Sequence, residues 1–176
     1  MNIAVFVGSL RDDSLNKKLA KSLEAVAPEG VTFEYVDLNV PLYNTDIESP
    51  YPEPAQKAKD AVLAADGVLI VTPEYNRSIP GVLKNVMDWI SRPYGANGFD
   101  AKPLAIAGAS GGPSGTAVAQ SDLRHIAGYL TMRLVGQPEL YFTLATDKFG
   151  EDGLAKPEYH EQLRGFMENF VAFIGK

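Results

Sequence analysis

The run Val68-Leu69-Ile70-Val71 is apolar at every position. Successive side chains of a strand point to opposite faces. A strand apolar on both faces needs cover on both, as in a parallel sheet held between layers of helices. Ile3–Val7 and Leu104–Ala107 read the same way. This constraint excludes a one-sided meander and points to alternating strands and helices.

The segments between these runs supply the helices. Leu15, Leu19, Leu23 and Val26 recur at helical spacing. Helical stretches follow at Ala55–Ala65, after Pro80 with Val82, Leu83, Val86 and Trp89, and at Thr116–Leu130. The last helix spans Pro157 to Ile174, with Leu163, Phe166, Phe170 and Phe173 on one face. Val31, Phe33 and Tyr35 alternate with Thr32 and Glu34, a half-buried strand. Leu140–Leu144 is the expected fifth strand, after an irregular stretch with Gly136 and Pro138. Asn39–Pro54, with four prolines, is a long loop inside one domain spanning residues 1–176. The pattern predicts an α/β three-layer sandwich around a five-stranded parallel sheet. The second strand is the edge, which gives the order 2-1-3-4-5 of flavodoxin-like folds. Ligands of such sheets sit outside the carboxyl ends of the strands, at the switch between strands 1 and 3.

Composition removes several chemistries. The chain of 176 residues has no cysteine, hence no disulfide, thiolate metal site or cysteine nucleophile, and its two histidines are too few for a histidine-rich metal site. A net charge of -6 argues against a nucleic-acid partner. No cationic leader precedes an apolar stretch, and no run approaches the roughly 20 residues of a membrane span. The expectation is a cytoplasmic protein.

Three loops follow the strand ends. The first is Gly8-Ser9-Leu10-Arg11-Asp12-Asp13-Ser14-Leu15-Asn16. Its hydroxyls, guanidinium and amide surround a helix N-terminus, where free N–H groups attract anions. A plain cap by Ser14, with Arg11 in solvent, explains the same residues. Asp12 and Asp13 oppose a strongly charged anion, and spacing leaves both readings open. The second loop, Pro73-Glu74-Tyr75-Asn76-Arg77-Ser78-Ile79-Pro80-Gly81, suits a flat heteroaromatic ring or a simple connection in which Ser78 caps the next helix. The third, Gly108-Ala109-Ser110-Gly111-Gly112-Pro113-Ser114-Gly115, lets backbone N–H groups approach a ligand, or is a flexible turn. Three unusual loops at one sheet edge strengthen one another.

These blocks resemble the NADPH-dependent FMN reductases, the flavodoxin-like group that includes quinone, chromate and azo-dye reductases. The resemblance rests on Gly8-Ser9-Leu10-Arg11, Ser14 and Asn16, on Pro73-Glu74-Tyr75-Asn76, Ser78 to Asn85, and on Asp88-Trp89. It implies that Ser9, Arg11, Ser14, Asn16 and the Leu15 amide bind the FMN phosphate. It places Pro73, Glu74, Tyr75 and Asn76 beside the isoalloxazine ring, with Ser110, Gly111 and Gly112 on its other side. It also implies NADPH or NADH as donor, a small-molecule acceptor and a homodimer or homotetramer, with the helix around Lys84–Trp89 at or near the interface. Val118 stands where many relatives carry arginine; Arg124 is retained. The flavin carries the difficult chemistry, so no catalytic side chain is assigned. His125 and His160 read as surface or interface residues and Trp89 as core or subunit contact.

Rivals are weaker. A flavodoxin-type electron carrier lacks the Pro-Glu-Tyr-Asn block. A receiver domain needs an acidic cluster after strand 1, where Gly8-Ser9 stands. A tyrosine phosphatase of this topology needs a cysteine. A serine esterase using Ser9 lacks an Asp-x-x-His near Glu158-Tyr159-His160.

Overall fold

Val68, Leu69, Ile70 and Val71 are fully buried, and the even and odd positions face two separate cores. A computed structural model describes residues 1–176. The strands are β1 (Asn2–Val7), β2 (Thr32–Tyr35), β3 (Gly67–Val71), β4 (Pro103–Ala109), β5 (Arg133–Leu134) and β6 (Leu140–Phe142). The helices are α1 (Leu15–Ala25), α2 (Glu53–Ala64), α3 (Gly81–Ile90), α4 (Ala117–Tyr129) and α5 (His160–Ile174). Every strand pairing is parallel, in the order β2-β1-β3-β4-β5, and β6 also pairs with β4.

On one face Ile3, Val5, Leu69 and Ala105 pack against Leu19 and Leu23 of α1 and Leu163, Phe166 and Phe170 of α5. On the other, Ala4, Phe6, Ile70 and Ile106 meet Val62 of α2, Leu83 and Met87 of α3, and Leu123 of α4. Burial of each such large side chain contributes about 1.5–3 kcal/mol. β2 is the edge, with Thr32, Glu34 and Tyr35 exposed. These features bear out the three-layer expectation.

The fifth sheet position differs from expectation. Instead of one strand over Leu140–Leu144, it holds two. β5 pairs with the start of β4 through Pro103↔Arg133, and β6 with its end through Ala107↔Leu140. Pro138 lies between them and has no N–H to donate to a ladder, so pairing is interrupted. β6 stops at Phe142, and Leu144 adopts a left-handed conformation with φ 46°. The proline-rich segment is a loop with one 3-10 turn at Thr45–Ile47. It packs on α3: Trp89 Nε1 donates to Pro41 O at 2.7 Å, and the rings of Tyr43 and Tyr51 meet Trp89 edge-on. Trp89 and Phe99 are fully buried, so they belong to the interior and not to a subunit contact. No helix is long and apolar enough to cross a membrane.

Candidate cofactor site

The ends of β1, β3 and β4 are drawn together around Thr72, which is fully buried. A Cβ on Gly8 would stand 2.9 Å from Thr72 Oγ1. One on Gly108 would stand 2.5 Å from Thr72 O and 1.9 Å from Thr116 Oγ1. Only glycine permits that approach, and it brings the three loops to one place.

In the first loop Ser14 is the N-cap of α1: its Oγ accepts the Asn16 N–H at 3.2 Å. The next donor, the Leu15 N–H, has no protein acceptor. Ser9 and Ser14 are buried beside it. The Arg11 guanidinium is exposed and donates only to Asp13 O at 3.0 Å. The two carboxylates that oppose an anion are paired elsewhere, Asp12 with Lys17 at 3.8 Å and Asp13 with Lys18 at 2.5 Å. The hydrogen bond and charge of Lys18 hold the Asp13 carboxyl below its ordinary value. A helix N-terminus with a free N–H, two hydroxyls and a movable guanidinium is suited to a phosphate. Asn16 has a further task. Its Nδ2 donates to Ala109 O at 3.0 Å and its Oδ1 accepts Ala109 N–H at 2.8 Å. Its side chain thus ties the first loop to the end of β4.

The second loop is a tight hairpin. Tyr75 and Ser78 exchange two backbone hydrogen bonds of 2.9 and 3.0 Å. Asn76 and Arg77 at its tip have φ of 51° and 65°, a turn of type I′. Glu74 reaches across to α4, whose N-cap residue Thr116 is left-handed and makes no side-chain cap. Its Oε2 accepts the N–H groups of Val118 at 3.0 Å and Ala119 at 3.3 Å. Pro80, not Ser78, holds the N-cap position of the helix that follows the hairpin and makes no side-chain cap; the Ser78 hydroxyl donates to Asp122 Oδ2 at 2.7 Å. In the third loop Ser110 Oγ donates to Gly112 O at 3.0 Å, while Ser110 N–H reaches Phe142 O at 3.2 Å.

Between these loops lies a depression of about 160 Å³. All the expected residues line it except Asn76, Gly111 and Gly112; Ala109 joins them. Asn76 stands at the hairpin tip, and the two glycines continue the third loop beyond Ser110. His125 is exposed on α4, and His160 shares a hydrogen bond of 2.8 Å with Ala155 O; neither reaches the depression.

A model of the NADPH-dependent FMN reductase family matches residues 1–147. The chain belongs to that family. This FMN reductase is an oxidoreductase with FMN as cofactor and NAD(P)H as electron donor. It is 46% identical to a 2-hydroxy-1,4-benzoquinone reductase of a Burkholderia species, covering 99% of this chain and 96% of the relative. It is 38% identical to a quinone reductase of Pseudomonas putida, covering 98% and 94%. Its fold superposes with a TM-score of 0.94 on FerB, a flavoenzyme NAD(P)H:(acceptor) oxidoreductase from Paracoccus denitrificans, at 39% identity over 99% and 97% of the two chains. In this FMN reductase Val118 offers its backbone N–H to Glu74, and its side chain is 38% exposed. Arg124 is engaged with Glu139 at 3.0 Å.

Proposed function

We propose that this FMN reductase passes electrons from NAD(P)H to small-molecule acceptors such as quinones, dyes or metal oxyanions, by a ping-pong mechanism. FMN, when bound, would supply the redox chemistry, as hydride acceptor for the nicotinamide and electron donor to the acceptor. The observation that carries the reading is the free Leu15 N–H, flanked by buried Ser9 and Ser14 and by exposed Arg11, next to the Pro73–Tyr75 wall.

Ser9, Arg11, Ser14 and the Leu15 amide hold the phosphate, and Asn16 keeps their loop against β4. Pro73, Glu74, Tyr75 and Asn76 border the ring on one side and Ser110, Gly111 and Gly112 on the other. Tyr75 is 49% exposed and the depression is only about 160 Å³, so it would hold the phosphate end and leave the ring accessible to donor and acceptor in turn. The relatives' names support quinones as one acceptor class. We assign the enzyme to the cytoplasm, where NAD(P)H is available.

A homodimer or homotetramer completes the reading. Its support is Tyr94 and Tyr129, aromatic side chains 92% and 84% exposed. Sedimentation velocity as a function of concentration decides it, and a monomer at every concentration removes it. For the main reading, the test is a spectrum of the purified protein followed by NADPH oxidation with and without a quinone. A protein that neither carries nor takes up FMN overturns it.

A further inference from the structure

A larger depression, of about 350 Å³, opens between the end of β2 and α1. It adjoins the cofactor loop, because Ser9 lines both. Its floor is apolar. Val36 and Leu38 are buried there, while Leu10 and the Tyr35 ring are 52% and 37% exposed at its lip. Such a volume falls within the roughly 300–1,000 Å³ of small-molecule sites.

The rim carries charge of both signs. Lys17 and Lys21 stand one helical turn apart on α1. Lys17 has only Asp12, at 3.8 Å and wholly in solvent, as acidic partner. Lys21 pairs with Glu24 at 2.9 Å, and its ammonium lies 4.2 Å from the Tyr35 ring centroid. Asp37 closes the far side. One of its oxygens accepts Asn39 N–H at 2.8 Å, and the other is unengaged.

These groups match the parts of an adenosine phosphate. The apolar floor and Tyr35 suit a flat purine. The unengaged oxygen of Asp37 suits the ribose 3′-hydroxyl, which stays free when the 2′ position carries a phosphate. Two ammonium groups suit a phosphate. The protein as a whole is anionic at -6, so this attraction is local. The donor of an FMN reductase carries an adenosine at the end remote from its nicotinamide, and the cavity abuts the loop assigned to the cofactor.

We propose that this cavity binds the adenosine end of the nicotinamide nucleotide, and that Lys17 and Lys21 read the 2′-phosphate and make NADPH the preferred donor. The proposal rests on the reductase reading above and extends it to the donor's far end.

Calorimetric titration of the FMN-loaded enzyme with 2′,5′-ADP and with 5′-AMP tests it. The expected result is tighter binding of 2′,5′-ADP by about tenfold or more, as for a charged hydrogen bond. The difference narrows with added salt. Lys17→Gln with Lys21→Gln removes it and lowers the NADPH-to-NADH ratio of kcat/KM in step; Lys17→Arg with Lys21→Arg keeps it. Both side chains are well exposed, at 40% and 57%, so the substitutions leave packing intact. Equal affinity for the two nucleotides, or a difference that survives the double glutamine variant, overturns the proposal. An enzyme that holds FMN and oxidises NADPH but shows no lysine dependence loses this inference alone. Failure to bind FMN or oxidise NADPH overturns the reductase reading, and the donor assignment with it.

Discussion

The Glu74 carboxylate accepts the Val118 N–H at 3.0 Å and so caps α4 from a loop 44 residues earlier in the chain. It also meets the Arg77 guanidinium at 3.3 Å. One side chain therefore stabilises a helix and holds the hairpin that walls the cofactor depression. Glu74→Ala is expected to cost about 0.5–2 kcal/mol, as for loss of a helix cap. For a chain of this length that lowers Tm by about 2–4 °C per kcal/mol. Glu74→Gln keeps an acceptor oxygen and loses less. Thermal melts of the FMN-free protein measure both; an unchanged Tm in the alanine variant removes the cap from the account.

Arg11 touches only its own loop, so its removal isolates ligand binding from stability. Arg11→Ala is expected to weaken FMN by about 1.5–3 kcal/mol, the range for a hydrogen bond to a charged group. Riboflavin, which lacks the phosphate, is expected to lose far less. Fluorescence titration with both flavins gives the ratio. Ser14→Ala tests the same contact less cleanly, because Ser14 also caps α1. Equal losses for the two flavins would place the phosphate elsewhere.

Kinetics check the shared open face. Initial rates against NADPH at several quinone concentrations are expected to give parallel double-reciprocal lines. Replacing His125 or His160 with Gln is expected to leave the reductive half-reaction within a few-fold. A general acid or base contributes about 10²–10⁴, so a hundredfold loss with FMN still bound would reveal a missed catalytic group. Intersecting lines would require donor and acceptor together and defeat the ping-pong scheme.

Alkaline stability reports on the loop over α3. Tyr51 donates its hydroxyl proton to Trp89 O. Burial first, then the charge of Glu48 and the neighbouring Tyr43, push its pKa up to about 12 from the ordinary value of 10.0. The folded state thus keeps a proton that the unfolded chain releases above pH 10.0. The associated stability is complete below that pH and is lost as pH rises toward about 12. Urea unfolding at stepped pH is expected to show that fall. Tyr51→Phe removes part of the slope and costs about 1 kcal/mol at neutral pH for the lost hydrogen bond. An identical slope in the variant would assign the alkaline loss to other groups.

The sequence alone determined the layers, the edge strand, the sheet order and the three loops at the carboxyl ends. Those features are written in local patterns. Val68–Val71 is apolar at every position because both its faces are covered, and Ser14 caps α1 through a residue only two positions away. The tertiary structure decided what depends on distant partners. Pairing of β4 with two short strands followed from an interruption at Pro138 that local propensity could not locate in the sheet. The resemblance places Glu74 beside the ring, and only the tertiary structure brings to it the two α4 N–H groups that the helix's own N-cap leaves free. The resemblance puts Asn16 among the phosphate residues, and only the fold shows that its amide is matched by Ala109, 93 residues away. Such contacts leave no periodicity behind. A backbone donor looks the same in any sequence, and only folding shows which side chain it meets.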